Sequence, residues 1–244
     1  MGRLYLGLAL LSAAALAFEV TLTRLFSVTQ WYHFAFLAVS VALLGYGASG
    51  TVLSLVSRWV QGPTARRASA FGTLFSLSVL VAYLGLNYLP FDSYRIAWEK
   101  SQLLYLLLYY LALTAPFFFC GLVTGLLLTA RAGHASRLYA ANLLGSAVGG
   151  LLPLVVLPHV GEGVVLAIAA LGLVAAQTFL QARSSTELSA ALRLRTLAVR
   201  IVLLGAACLW LVLEIFLLEP CRLRLSPYKG LSEVLRYPDA EVTW

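Results

Sequence analysis

The sequence predicts an all-α membrane protein, a bundle of about seven transmembrane helices followed by a short polar C-terminal tail. Of its 244 residues, 61% are hydrophobic and only 11% are charged, whereas a soluble domain carries roughly 25% charged residues. The apolar runs are long and continuous, unlike the short alternating segments of membrane β-barrels. The spanning segments are therefore predicted to be helices, because in lipid each backbone N–H and C=O must be paired within its own segment.

Seven segments are long and apolar enough to cross a bilayer whose hydrocarbon core is roughly 30 Å thick. They cover residues 4–26, 34–56, 70–89, 103–129, 138–157, 164–179 and 197–218. The fourth contains Pro116 but is interpreted as one helix, since two halves would each be too short to span. The first is interpreted as an uncleaved span, because its apolar run continues past an Ala-rich patch to about Val28. Residues 1–218 then form the membrane domain and 219–244 a polar tail or linker.

The distribution of Lys and Arg predicts that the N-terminus lies in the cytoplasm. Basic residues cluster in the loops on one side, where they follow the positive-inside rule. These residues are Arg3, Arg58, Arg66, Arg67, Arg131, Arg137, Arg183, Arg193 and Arg195. On the other side, the 29–33 loop has no Lys or Arg and the 92–100 loop is mixed. We therefore expect a multi-pass protein of the inner (plasma) membrane, whose net charge of +7 reflects topology and not a nucleic-acid surface.

Three strips of small residues predict close helix packing. They are Gly121 with Gly125, Gly145 with Gly149, and Gly45 with Ser49 and Gly50. Small residues one turn apart let two helix backbones approach closely, which stabilises helix pairs in lipid. The same strips are also compatible with a homo-oligomer.

Glu19 is the outstanding charged residue within a span. Charged groups inside membranes are costly and often functional. Arg24 lies about 140° away around the helix, so Thr23, one turn from Glu19, is better placed to bond it. Two interpretations stay open: a polar anchor for helix packing, or a site for a substrate or proton.

Other polar residues also lie within the predicted spans. Asn87, Asn142 and Gln177 are typical of hydrogen bonds between helices. Glu214, in the seventh span, is a second candidate for a buried carboxylate. The candidate intramembrane polar site therefore comprises Glu19, Arg24, Asn142 and Glu214.

The sequence contains no recognisable catalytic motif. Dinucleotide-binding, Walker, zinc-protease and serine-hydrolase signatures are all missing from these 244 residues. Three separated cysteines and three separated histidines show no metal-ligand spacing, and Cys120, inside a span, is interpreted as a small apolar thiol. We therefore predict no catalytic, cofactor-binding or metal-binding residue in this chain.

Three segments resemble one family. The stretch 137–150, RLYAANLLGSAVGG, resembles a helix of membrane-bound spermidine synthase-like proteins, which are polyamine aminopropyltransferase-like. The residues around Glu19 and Arg24 are similar to the first helix of that family. The tail segment 226–238, SPYKGLSEVLRYP, resembles the connector to its soluble domain.

This resemblance implies that the chain is a non-catalytic membrane module. It would anchor a downstream Rossmann-like aminopropyltransferase- or methyltransferase-like domain, in which an S-adenosylmethionine-type donor would bind. Glu19, Arg24, Tyr139, Asn142 and Lys229 match family-like positions without an assigned role. Because residues 240–244 read as the start of a strand, the protein is expected to continue beyond Trp244. Seven spans place the tail outside the cell although such a donor is cytoplasmic, and the loop charges favour the count of seven.

Two other classes of function are also compatible with the residues. A small-molecule transporter or ligand-binding membrane protein would use Glu19 in a polar cavity, so Glu19→Gln would abolish uptake or binding without unfolding the protein. A scaffold subunit would only pack against partners, so the same substitution would change stability alone.

Overall fold

All the regular secondary structure in the described part of the chain is helical. The computed structural model describes residues 1–29, 35–56, 63–89 and 98–182. Its long helices are α1 (Gly2–Thr29), α2 (Ala35–Leu55), α3 (Thr64–Tyr88), α4 (Ser101–Ala130), α5 (Ala135–Val160) and α6 (Val164–Gln181). All six are long and apolar enough to cross a membrane. The all-α prediction is confirmed, whereas the predicted span at 197–218 and the tail at 219–244 lie outside the described residues.

Most of the helices extend beyond the apolar segments that predict them, at one end or at both. The N-terminal end of α3 includes Arg66 and Arg67, and the Arg67 amide still bonds the Pro63 carbonyl at 3.2 Å. The apolar segment ends at the first charged residues, but the helical backbone hydrogen bonds continue past them. α4 continues through Pro116 as one helix, although proline supplies no N–H to the carbonyl of Ala112.

Five helices form a closed ring and the sixth lies outside it. Going around the ring, α1, α6, α3, α4 and α2 contact in turn, and α2 returns to α1. α5 packs mainly against α1. The ring is filled by fully buried side chains, among them Phe18, Phe75, Phe117 and Phe179.

The contacts between helices fix their relative directions. Gly145 lies against Ala9 and Gly149 against Ala13, so α1 and α5 run parallel. Arg3, at the start of α1, donates a hydrogen bond of 2.8 Å to the carbonyl of the last residue of α6. α6 therefore ends beside the start of α1. These directions match a chain whose successive helices cross the bilayer alternately.

Candidate functional site

The strip Gly145–Gly149 forms the contact between α5 and α1. A Cβ atom added to Gly145 would lie 2.7 Å from the Cα of Ala9, and one added to Gly149 would lie 2.6 Å from the Cα of Ala13. In both cases the nearest atom is a backbone carbonyl oxygen, which cannot rotate away as a side chain can. Only glycine permits this distance between the two backbones.

The other two strips lie at the contact between α2 and α4. A Cβ atom on Gly45 would be 2.7 Å from the backbone nitrogen of Phe118. One on Gly121 would overlap the Ser49 hydroxyl, and one on Gly125 would lie 2.5 Å from a leucine side chain of α2. Six of the seven small residues in the predicted strips thus lie at two helix pairs.

A third close contact was missed by the sequence reasoning. Between α3 and α6, Gly72 faces Ala176, with 3.1 Å from an added Cβ to the alanine Cβ, and Gly172 faces the Ser76 hydroxyl. Both helices carry the same spacing of small residues, which the sequence displays. Gly50, by contrast, has nothing within 4 Å of an added Cβ, so spacing alone does not identify contacts.

Asn142 forms a hydrogen bond between α5 and α1. The buried Ser12 hydroxyl lies 2.6 Å from Asn142 Oδ1 and 2.8 Å from the Leu8 carbonyl oxygen. A hydroxyl has one proton, so Ser12 donates to one of these acceptors at a time. The bond lies beside the glycine contacts and joins the same helix pair.

We expect Ser12 and Asn142 to be energetically coupled. In a double-mutant cycle with Ser12→Ala and Asn142→Leu, the coupling in the free energy of unfolding should be about 0.6 kcal/mol and at most about 1.7 kcal/mol, as for other interhelical hydrogen bonds in membranes. Detergent-induced unfolding of the purified protein measures it. Ser40→Ala is the control, because among the described residues the exposed Ser40 hydroxyl donates only to the Phe36 carbonyl of its own helix. Additive effects of the two substitutions would contradict the prediction.

Glu19 lies half-buried on α1, and its carboxylate accepts no hydrogen bond and forms no ion pair within the residues that the structure describes. The Thr23 hydroxyl does not bond this carboxylate, as the sequence suggested, but donates at 2.9 Å to the main-chain carbonyl of Glu19. Arg24 is exposed on the same helix. Glu214, the other candidate carboxylate, lies outside the described residues, as does Lys229, and Tyr139 is exposed on α5.

Tyr46 of α2 forms a cluster with Cys120 and Phe117 of α4, and the cluster reaches α1 because the Phe117 ring lies 5.8 Å from the ring of Phe18. The Tyr46 hydroxyl lies 3.6 Å from the Cys120 sulfur of α4. The Tyr46 ring lies 6.2 Å from the ring of Phe117, centroid to centroid. The sequence did not indicate this cluster, because its members come from three helices that are far apart along the chain.

Tyr5, Ser12 and Glu19 share one face of α1. Their spacing of seven residues falls only about 20° short of two full turns. The Tyr5 hydroxyl is buried and has no hydrogen-bond partner within the described ranges. We call these three residues the polar stripe of α1. α5 reaches the stripe through Asn142, which is hydrogen-bonded to Ser12.

No family model, curated protein or solved structure matches the chain. Among residues 1–29, 35–56, 63–89 and 98–182, no group of three or more His, Cys, Asp or Glu side chains is placed to hold a metal ion.

Proposed function

We propose that this chain is the membrane module of a spermidine synthase-like protein. In this proposal the module is not catalytic itself and anchors a downstream Rossmann-like domain that transfers an aminopropyl or methyl group. The supporting observation is the packing of α5 on α1. Two segments that carry the likeness, around Glu19 and at 137–150, are distant in sequence and belong to this one helix pair. Asn142, Gly145 and Gly149, all within the second segment, make the contact.

We also propose that the module lies in the inner (plasma) membrane with its N-terminus in the cytoplasm. The basic residues at helix ends support this orientation, because with alternating helices they fall on one side of the bundle. They are Arg3, Arg66, Arg67, Arg131 and Arg137. The hydrogen bond from Arg3 to the end of α6 supports a cytoplasmic position for that end too.

Paired reporter fusions test the orientation. A fluorescent protein, which folds in the cytoplasm, should be active when fused after Ala182, and alkaline phosphatase at the same point should be inactive. If 197–218 crosses the membrane, the pattern should reverse for fusions after Trp244. Active phosphatase after Ala182 would show that the proposed orientation is wrong.

The anchoring function is tested on the complete gene. We expect the reading frame to continue into a strand, a Gly-rich turn and an acidic residue. Membranes that contain the full protein should then transfer a group from S-adenosylmethionine or its decarboxylated form, and Glu19→Gln should leave this transfer intact. A frame that ends at Trp244, or a full-length protein without either transfer, would count against the proposal.

A further inference from the structure

Among the described residues, α5 and α6 both pack on α1 but hardly contact each other, so a cleft lies between them with α1 as its floor. α6 meets α1 at Gly7, where an added Cβ would lie 2.7 Å from the Phe179 ring. α5 meets α1 at Ala9 and Ala13. Leu6 points between these contacts, about 60° around α1 from Ala9 and about 100° from Gly7, and it is 53% exposed. We call this opening the α5–α6 cleft.

One side of α5 borders the α5–α6 cleft. Asn142 bonds Ser12, which lies on the side of α1 turned away from Leu6. The opposite side of α5 therefore faces the cleft, and it carries three exposed residues with helical spacing. They are Arg137, Leu144 and Val148. This wall of the cleft is thus apolar, with a cation at the end where α5 begins.

A second arginine lies at the same end of the cleft. Arg3 of α1 is exposed, and its hydrogen bond of 2.8 Å to the Gln181 carbonyl fixes its guanidinium beside the end of α6. The register of the two glycine contacts between α1 and α5 places Arg137 only about 3 Å along the helix axis from the level of Arg3. A guanidinium has five N–H donors, so Arg3 retains donors after it bonds Gln181.

No acidic residue that the structure describes lies at this end of the bundle. Glu19 is about 24 Å from Arg3 along α1, and Glu99 and Glu162 lie at the opposite end, before α4 and before α6. The positive-inside rule accounts for basic residues at this end. It does not account for two of them beside one open apolar cleft.

Cations beside an apolar cleft suit a membrane lipid whose headgroup is negatively charged. Arginine binds phosphate through charge-assisted, often bidentate hydrogen bonds, and basic pockets between membrane helices bind anionic headgroups. An acyl chain requires only an apolar surface, which Leu6, Leu144 and Val148 provide. A soluble phosphate would use the two arginines and leave the apolar surface uncovered.

We propose that the α5–α6 cleft binds an anionic phospholipid. Arg3 and Arg137 hold its phosphate, and one acyl chain lies along α1 between the two helices. The lipid then covers the part of α1 that neither helix covers near its start. This inference goes beyond the anchoring function, and it depends neither on a downstream domain nor on the side of the membrane that this end of the bundle faces.

Native mass spectrometry of the complete protein in detergent micelles tests the proposal. The ligand is dioleoyl phosphatidylglycerol, and dioleoyl phosphatidylcholine is the zwitterionic lipid with the same chains. One phosphatidylglycerol should bind with a Kd about tenfold lower than that of phosphatidylcholine. Arg3→Gln and Arg137→Gln should each raise this Kd about fivefold. Arg66→Gln is the control, because exposed Arg66 lies at the same end of the bundle but on α3, beyond α6 from the cleft, and it should leave the Kd unchanged.

Equal affinity for the two lipids, or an equal loss in Arg66→Gln and Arg137→Gln, overturns the proposal, because the effect would then be one of general charge. If Arg3→Gln does not fold without its bond to Gln181, Arg137→Gln decides. Leu144→Trp should also raise the Kd, since an indole at this exposed position fills the cleft while both arginines remain. Displacement of the lipid by glycerol phosphate would identify a soluble ligand, and lipid-free dimers would identify a second copy in the cleft; either result overturns the proposal. The anchoring function would fail separately, by loss of group transfer.

Discussion

Gly145→Leu is expected to separate α5 from α1 and to lower the free energy of unfolding by about 3 kcal/mol. The leucine side chain would have to occupy the position of the Ala9 carbonyl, which belongs to the backbone of a long helix. The helices must then move apart, and the hydrogen bond between Ser12 and Asn142 is lost with them. Since α5 has few contacts beyond α1 within the described residues, none of the other described helices compensates. Equilibrium unfolding of the purified protein in mixed micelles measures the loss.

Gly47→Leu is the matched control for this substitution. Gly47 lies within a membrane helix, as Gly145 does, but a Cβ there meets nothing within 4 Å. Its substitution should change the free energy of unfolding by less than about 0.5 kcal/mol. Equal losses for the two variants would mean that the cost arises from leucine in the helix itself. The close contact between α1 and α5 would then not be what stabilises the bundle.

The sequence predicts which small residues are suited to contacts, but not their partners. Gly145 and Gly149 stand out because a helix places residues four apart on one face. Ala9 and Ala13 do not stand out, because α1 is apolar on every side. In lipid, exposed and buried faces are both apolar, so Leu144 on the outside of α5 cannot be distinguished by composition from a buried leucine. Amphipathicity, which orients helices in water, is missing here.

In the candidate site too, the sequence identifies a single unusual residue but not the residues that tertiary packing brings together. Glu19 can be identified from the sequence, because a single charged residue within a long apolar segment is unusual. Tyr46 and Cys120 are not, because their approach to each other depends on how α2 and α4 pack. The expected bond from Thr23 was wrong for a local reason: a threonine hydroxyl in a helix always has the carbonyl four residues earlier within reach. That acceptor is the main chain of Glu19.

Phe117→Ala is the second substitution for which we expect a large effect. The Phe117 side chain is fully buried in the ring of helices, with ring centroids 5.8 Å from Phe18 and 6.2 Å from Tyr46. Its removal leaves a cavity among α1, α2 and α4. Because lipid is as apolar as the bundle interior, lost packing accounts for most of the cost. We therefore expect a loss of about 3 kcal/mol, the lower limit for a buried phenylalanine.

Phe36→Ala is the matched control, because Phe36 lies on α2 with 72% of its surface exposed. It removes the same atoms and should cost less than about 0.5 kcal/mol. Equilibrium unfolding of the purified protein in mixed micelles measures both variants. Equal losses would mean that removing a phenyl ring anywhere on the bundle has the same cost, and that the buried cluster of α1, α2 and α4 is not what stabilises it.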